Sequence, residues 1–252
     1  MFQLNNFLNN QNMKVIDQKG PFRVFEHEKD LSVNPANAVA AYFASEMNVR
    51  KRQVVCDVAK SNVTVQAGAM QWMVGDVKAT TGLKGVGDLF SKAVRGSVTG
   101  ESAIKPEYTG NGTLVLEPTY KHILLLDVAD WNGSVVLDDG LFLACESSLK
   151  QKAVMRANLS SAVAGNEGLF NLGIQGKGVL CLESPCPKEE LVEITLNNDV
   201  LKVDGNFAIA WSGSLEFTVE RSGKSLIGSA ASGEGLVNVY RGTGKVLLAP
   251  VR

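Results

Sequence analysis

The sequence is poor in the residues that build metal centres and catalytic pairs. Its 252 residues include two histidines, His27 and His122, and four cysteines, none in a Cys-x-x-Cys pair. No Ser-His-Asp order and no His-x-His spacing occurs, so both histidines are expected to be surface or strand-edge residues. No metal ion or other cofactor is predicted, no residue is assigned a catalytic role, and the chain is predicted not to be an enzyme.

The cysteines are Cys56, Cys145, Cys181 and Cys186. Cys145 and Cys181 stand at core-like strand positions, where a free thiol behaves as a small hydrophobic group. Cys181 and Cys186 could instead face each other across a turn as a disulfide or metal pair. This alternative is less favoured, because metal sites need more ligands than two. A reducing cytoplasm is therefore the expected location.

The chain also lacks an excess of charge and any long apolar run. Its formal net charge is −1, which gives no general attraction to nucleic-acid phosphates or anionic membranes. No apolar run approaches the roughly 20 residues that cross a bilayer. Residues 1–13 have no basic start, so they do not read as a signal peptide. No integral membrane segment is predicted, and nucleic acid is disfavoured as a partner.

One tight basic cluster occurs, Arg50-Lys51-Arg52. It is interpreted as a solvated strand edge, where charge discourages edge-to-edge pairing. Contact with nucleic acid or acidic lipid is the alternative, and three charges in a slightly acidic chain favour it less.

What the sequence does contain is a repeat. A Gly-x-Gly followed by an apolar strand occurs three times, and the second glycines of these copies, Gly112, Gly178 and Gly244, are equally spaced. The stretch 136–145 aligns without a gap on the stretch 202–211 at the same offset (178 − 112 = 202 − 136 = 66). The stretch 64–73 fits the same frame at a larger offset (136 − 64 = 72), so the first copy is longer by six within its Gly-rich region 82–100. Equal spacing with equal chemistry indicates an internal repeat.

Short apolar strands, regular turns and almost no helix predict an all-β fold. Each repeat is expected to turn at Ser61-Asn62, Asn132-Gly133 or Asn198-Asp199 and to end in a hairpin at Gly-x-Gly, where a positive φ is needed. Because each Gly-x-Gly leads into a strand and not a helix, a dinucleotide phosphate loop is rejected. The predicted domains are an N-terminal extension over residues 1–48 and three β modules over residues 49–118, 119–184 and 185–252.

Within the extension, residues 1–20 are predicted to be an irregular lead-in and residues 22–28 a strand. A helix is predicted over residues 35–47, because Asn34 can cap it and Pro35 suits its first position. Its apolar residues follow helical spacing, so one face is expected to pack against the protein. These residues are Val39, Tyr42, Phe43 and Met47.

Three carboxylates recur at one place in each module, before the Gly-x-Gly: Glu101, Glu167 and Glu234. One hypothesis places them around a binding surface. The favoured interpretation is that they accept hydrogen bonds from backbone amides of the neighbouring glycines. Identical triplicates also argue against catalysis, because an acid and a base need different surroundings.

A second candidate motif is the strand that carries Met70, Trp72 and Met73. The chain has three tryptophans, Trp72, Trp131 and Trp211, any of which could stack a base or a ligand. Trp72 and Trp211 follow apolar strand patterns, so core or inter-module packing is favoured for these two.

Together these stretches resemble the altered-inheritance-of-mitochondria 24 family over about residues 50–252. The matching stretches are residues 70–73, 100–102, 142–144, 203–204 and 232–237, with the closing strand after Gly242-Thr243-Gly244. The resemblance implies three tandem modules similar to the tryptophan RNA-binding attenuation protein (TRAP), each a small β-sandwich or short double-stranded β-helix. It further implies a homotrimer whose three chains close into a ring of nine modules.

The resemblance implies no catalytic or cofactor residues. Mitochondrial members of the family are associated with inner-membrane organisation. The helix at 35–47 and the link Pro185-Cys186-Pro187 depart from the family pattern.

Three functions are compatible with these observations. The favoured hypothesis is a non-enzymatic, ring-forming scaffold or binding protein, with an unknown protein partner. The second is RNA binding by analogy with TRAP, which would need basic residues repeated at one strand edge. Lys177 and Lys245 provide them in two modules, but their positions are offset by one, and Thr113 stands in the first module. The third is a ligand receptor or enzyme that uses a groove between modules, with the 82–100 insertion building the site.

Overall fold

The computed structural model of the chain describes residues 2–81, 105–155, 170–221 and 236–250. The insertion at 82–100 and the three repeated carboxylates Glu101, Glu167 and Glu234 lie outside the described residues. Within these ranges the protein is all-β with one short α-helix, as predicted.

The strands are β1 (Met13–Lys19), β2 (Phe22–His27), β3 (Arg52–Asp57), β4 (Val63–Val65), β5 (Met70–Thr80), β6 (Glu107–Leu116), β7 (His122–Asp127), β8 (Ser134–Leu137), β9 (Phe142–Glu146), β10 (Lys150–Met155), β11 (Phe170–Gln175), β12 (Val179–Ser184), β13 (Val192–Asp204), β14 (Ala208–Ser212), β15 (Glu216–Arg221) and β16 (Leu236–Leu248). The α-helix, α1, spans Ala38–Glu46, and 3-10 turns span Pro35–Asn37, Val128–Trp131 and Lys188–Glu190.

Two antiparallel sheets organise the protein. The nine-stranded sheet runs β1-β2-β3-β6-β4-β9-β12-β7, with β5 on β6. Its end strands β1 and β7 are in contact, so the sheet is a nearly closed barrel. The seven-stranded sheet runs β10-β11-β8-β14-β16-β13, with β15 on β16. Strands β4 and β8 thus lie between other strands, whereas β13 lies at an edge.

The hydrophobic cores are formed by strand residues whose side chains alternate between the two faces of a sheet. The barrel core contains Val54 and Cys56 of β3 together with Leu114 and Leu116 of β6. All four cysteines are buried free thiols, which confirms the core positions of Cys145 and Cys181. Burial raises the pKa of the Cys145 thiol to about 12.

The predicted irregular lead-in is wrong for residues 13–19, which form β1 and pair with β2. This strand is hard to recognise because its side chains are mostly exposed, with Val15 at 50% and Ile16 at 46%. Its register also shifts between Val15 and Asp17, which breaks the alternation expected of a strand.

The predicted helix forms, and Asn34 caps it: the backbone N–H of Asn37 donates to Asn34 Oδ1 at 3.1 Å. The prediction that its apolar face packs within the chain is wrong, because Val39, Tyr42, Phe43 and Met47 are between 57% and 78% exposed. The helix faces the protein with small side chains instead, and Ser45 Oγ donates to the Glu28 carbonyl at 2.7 Å.

The predicted Gly-x-Gly hairpins are correct for one copy only. Gly176-Lys177-Gly178 links β11 to β12, whereas the other two copies lie inside the long strands β6 and β16. The predicted positive φ is confirmed at the first glycine of every copy, with +115° at Gly110, +128° at Gly176 and +117° at Gly242.

The predicted turn at Asn198-Asp199 is also absorbed into a strand. Asn198 has a φ of +52°, as the turn chemistry predicted, but β13 continues through it as a 13-residue strand. The register against β16 shifts between Leu196 and Asp199, so one extra residue of β13 forms a bulge.

Candidate functional site

One strand pair recurs three times with the same irregularity. Strands β5 with β6, β9 with β12 and β14 with β16 pair antiparallel, and each ladder shifts register directly after its first residue pair. The residue pairs just past the shift are Trp72 with Val115, Ala144 with Cys181 and Ala210 with Leu247. From pair to pair the positions advance by the offsets of the sequence repeat.

The contact between the first and second repeats is a short joint of β4 with β9. It pairs Val63 with Glu146, Thr64 with Cys145 and Val65 with Ala144. The contact between the second and third repeats is a joint of β8 with β14. It pairs Val135 with Ser212, Val136 with Trp211 and Leu137 with Ala210.

The second joint is the first joint moved along the chain by one repeat. On one strand Val65 is replaced by Leu137, and on the other Ala144 is replaced by Ala210. Each joint therefore connects two unlike edges: the β4 or β8 edge of one repeat and the β9 or β14 edge of the next. Such a contact is head-to-tail, and it leaves one unused edge at each end of an array.

The unused edge of the last repeat lies at the end of β13. On its inner side, Leu201 pairs with Tyr240 of β16. The equivalent pairs in the two earlier repeats are Val135 with Ile174 and Val63 with Tyr108. Residues 201–203 are thus the third copy of the β4 and β8 segment. Among the described strands, only β16 pairs with them.

The unused edge of the first repeat lies in β5, at residues 72–74. In the part of the chain that the structure describes, this strand pairs only with β6. The predicted motif residues lie here: Met70 is 38% exposed, Met73 is 41% exposed, and Trp72 is half-buried with its ring 5.2 Å from that of Phe7. The structure thus brings Met70, Trp72 and Met73 together at a free sheet edge.

The hydrophobic clusters at the two ends of the chain contain repeat equivalents of residues that lie in the cores at the two joints. Val203, Trp211 and Tyr240 form one cluster. They are the repeat equivalents of Leu137, Cys145 and Ile174, which belong to the core between the second and third repeats.

The cluster at the other end is smaller. Val115 and Trp72 lie there with Phe25. Their repeat equivalents, Cys181 and Ala144, are buried in the barrel core. Among the described residues, each end of the chain therefore carries the apolar residues of one side of a joint, and at the Trp72 end Phe7 and Met13 of the N-terminal extension also pack against them.

Trp211 is buried among Phe217 and Tyr240, at ring distances of 5.3 and 5.4 Å, which confirms its predicted core position. Trp131 is also buried, at 3% exposure. Of the three tryptophans, only Trp72 keeps a partly exposed ring at an edge.

The basic cluster is not a solvated edge, and that interpretation is wrong for Arg52, which is 1% exposed. Arg52 lies directly opposite Glu26 in the β2–β3 register, with Nη2 2.8 Å from Glu26 Oε2. Arg50 Nη1 lies 3.1 Å from Glu26 Oε1, and Lys51 Nζ lies 2.8 Å from Asp30 Oδ2. These three cations therefore neutralise carboxylates of the N-terminal extension. The sequence alone did not reveal these ion pairs. The predicted strand 22–28 contains Glu26, but the pairing of that strand with the strand of Arg52 is seen only in the structure.

A cleft of about 620 Å³ separates α1 from this cluster and is lined by His27, Ser45, Lys51 and Tyr120, among others. Burial, and then the charge of Lys51, lowers the pKa of His27. Hydrogen bonds from Lys51 and then Ser32 lower the pKa of Asp30 to about 2. His27 is thus held neutral and Asp30 ionised near neutral pH.

The lysines considered for RNA contact differ in their surroundings. Lys245 Nζ lies 2.9 Å from Glu193 Oε1 and 6.0 Å from the centre of the Trp131 ring. Lys177 is exposed at the tip of the β11–β12 turn. The two positions therefore do not present equivalent charges.

Within the described ranges, no three His, Cys, Asp or Glu side chains are grouped so that they could hold a metal ion. The helices of those ranges include none that is both long and apolar enough to span a membrane.

The comparison with known families gives a match to most of the chain. The family described as "Mitochondrial biogenesis AIM24" matches residues 43–251. The chain belongs to the AIM24 family. The family match begins within α1, so β1, β2 and the carboxylate Glu26 lie outside it.

Two streptococcal relatives extend this result. An uncharacterised protein of Streptococcus pyogenes serotype M6 is 30% identical over 195 residues, covering 74% of this chain and 76% of that protein. The X-ray crystal structure of a Streptococcus pyogenes protein, a structural-genomics target, matches with a TM-score of 0.59 and 27% identity. That match covers 82% of this chain and 90% of the other. This AIM24 chain and the crystallised streptococcal protein therefore share a fold.

Proposed function

We propose that this AIM24 chain is a non-enzymatic scaffold or binding protein that assembles head to tail into a closed ring of three chains. The observation that carries the proposal is the joint that occurs twice inside the chain and leaves residues 72–74 and 201–203, at its two ends, without a second partner strand among the described residues. A contact between unlike surfaces gives a ring when the rotation closes and a filament when it does not. Closure would also remove the exposed sheet edges.

The proposed unit of the ring is a TRAP-like module, with boundaries at residues 49–118, 119–184 and 185–252. The recurring register and bulge support three equivalent units, each of which shares a strand joint with its neighbour. Three chains of three modules would give the nine-module ring that the resemblance to TRAP implies.

We also propose that the chain is not an enzyme. The repeated positions that the structure describes carry the register shifts and the apolar packing, and buried Arg52 is paired with Glu26. Burial raises the pKa values of the Cys56 and Cys181 thiols as well, which keeps them protonated and poorly nucleophilic. The four unpaired thiols fit the reducing cytoplasm proposed for the protein.

The molar mass in solution tests the proposal. Light scattering of the purified chain should give three times the chain mass of 27.0 kDa, independent of concentration over a wide range. A mass of one chain would contradict the assembly. A mass that rises with concentration without limit would contradict ring closure, because it would indicate an open filament.

A further inference from the structure

We infer that the end of β13 in one copy pairs antiparallel with the start of β5 in the next copy. The proposed register places Val203 opposite Trp72, Lys202 opposite Met73 and Leu201 opposite Val74. The inference rests on the head-to-tail assembly proposed above and specifies the interface between a chain and its second copy.

The register follows from the two joints inside the chain. The joint Val65–Ala144 becomes Leu137–Ala210 when each residue is advanced by one repeat. A further advance by one repeat takes Leu137 to Val203. On the other strand, the equivalent of Ala144 one repeat earlier is Trp72. The register therefore involves no adjustable choice.

The backbone of both segments suits such a joint. Residues 72–74 and 201–203 are each held on their inner side by a strand that occupies the same place in every repeat. Beyond Val74, Gly75 has a φ of +100°, and a Cβ there would meet the Asn111 carbonyl oxygen at 2.6 Å. Strand β5 nevertheless keeps its register with β6 through Gly75 and on to Thr80. The inner joint ends with β9 at Glu146, the position equivalent to Val74, so the proposed joint also ends at Val74, whereas β5 itself continues to Thr80.

The side chains of the proposed joint would complete a shared core. Val65 and Ala144 share one core, and Leu137 and Ala210 share the next. By the same relation Val203, now 8% exposed, would share a core with Trp72.

Trp72 replaces the alanine found at both inner joints. A larger apolar side chain would bury more surface, which suits a contact that must form without a covalent link between its two partners. On the opposite face, the stem of Lys202 would lie along Met73 while its charged end stays in water.

Disulfide trapping between two single variants tests this register. Directly opposed residues of an antiparallel pair have Cα atoms about 4.5 to 5.5 Å apart, within the disulfide range of about 4.4 to 6.8 Å. Co-expressed Met73→Cys and Lys202→Cys chains should form a covalent dimer under mild oxidation. Each variant alone should not, because an unlike contact brings no position against itself. The natural cysteines are buried and give little background.

The off-register control is Met73→Cys with Val200→Cys. Position 200 lies two positions along the strand, at a diagonal distance of about 7 to 8 Å, so no trapping is expected. Val74→Cys with Leu201→Cys provides a second in-register pair if the first pair disturbs folding, which circular dichroism under reducing conditions would reveal.

The outcomes separate the two proposals. A trimer whose in-register pairs stay reduced, or whose off-register pair traps equally well, overturns the joint and leaves the ring in place. A covalent dimer of a single variant overturns the joint by showing a symmetric contact. A monomeric wild-type chain overturns both.

Discussion

Arg52 faces Glu26 across β2 and β3, and its guanidinium Nη2 lies 2.8 Å from a Glu26 carboxylate oxygen inside the protein. Arg52 also donates from Nη2 to Asn48 Oδ1 at 2.6 Å. The pair ties the N-terminal extension to the first strand of the AIM24-matched region. It explains why a basic cluster in the sequence gives no basic surface at this position.

We predict that Arg52→Ala lowers the free energy of unfolding by about 3 to 5 kcal/mol, because it leaves the largely buried Glu26 carboxylate without its main partner. Lys51→Ala is the matched control. It breaks a more exposed pair with Asp30 and should cost at most about 1 kcal/mol. Urea denaturation measures the unfolding free energy of both variants. Equal losses would contradict the claim that the buried Arg52–Glu26 pair matters more than the exposed Lys51–Asp30 pair.

Gly110 and Gly68 allow the effects of φ and of space to be separated. Both have a positive φ, +115° and +83°. A Cβ at Gly110 would lie 2.0 Å from the Asp76 carbonyl oxygen, whereas nothing lies within 4 Å of a Cβ at Gly68. We predict that Gly68→Ala costs about 1 to 2 kcal/mol and Gly110→Ala about 3 kcal/mol or more, measured by thermal or urea unfolding. A Gly110→Ala protein as stable as the Gly68→Ala protein would contradict the close strand approach.

The two histidines predict a loss of stability in mild acid. Burial lowers the pKa of both, and a second contribution comes from Lys51 at His27 and from Arg52 at His122. The unfolded chain, with histidine pKa values near 6.5, therefore binds protons first as the pH falls. The stability from neutral histidines is complete above about pH 6.5 and is lost as the pH falls from there through the folded pKa values.

Unfolding free energies measured between pH 8 and 5 should show this decline. The double variant His27→Gln, His122→Gln should decline less over the same range. If the unfolding free energy of the double variant falls with pH as steeply as that of the wild type, the histidines are not the source of the decline.

The exposed face of α1 predicts tolerance to polar substitution. Phe43 is 62% exposed, so Phe43→Ser should change the free energy of unfolding by no more than about 0.5 kcal/mol. Phe25→Ala provides the comparison, because Phe25 is 2% exposed and its loss should cost about 3 to 5 kcal/mol. Urea unfolding of the two variants measures the difference. A large loss at Phe43 would show that this face is covered in solution.

Features that a single residue encodes could be predicted from the sequence. A positive φ at Gly110, Gly176 and Gly242, and at Asn132 and Asn198, follows from residue chemistry alone. The all-β class follows from the short apolar stretches and turn residues that recur along the chain. These local requirements do not depend on which strand lies alongside.

Features set by the neighbouring strand could not be predicted. The Gly-x-Gly at Gly110 was expected in a hairpin, yet β6 continues through it, because a long partner strand, β5, pairs along its whole length. Arg52 looks like a surface residue until Glu26 is placed opposite. The free edge at Trp72 likewise becomes visible only when the joints at Ala144 and Ala210 are compared.

Amide hydrogen exchange at single-residue resolution tests most directly whether the chain's own joint also connects its copies. Along residues 72–74 and 201–203, alternate amides point away from β6 and β16. Residues 135–137 and 144–146, which pair on both sides, give the protected reference inside the same protein. If the joint connects the copies, these outward amides should exchange as slowly as the reference amides. Exchange at the rate of open strand edges, in protein concentrated enough to assemble, would contradict it.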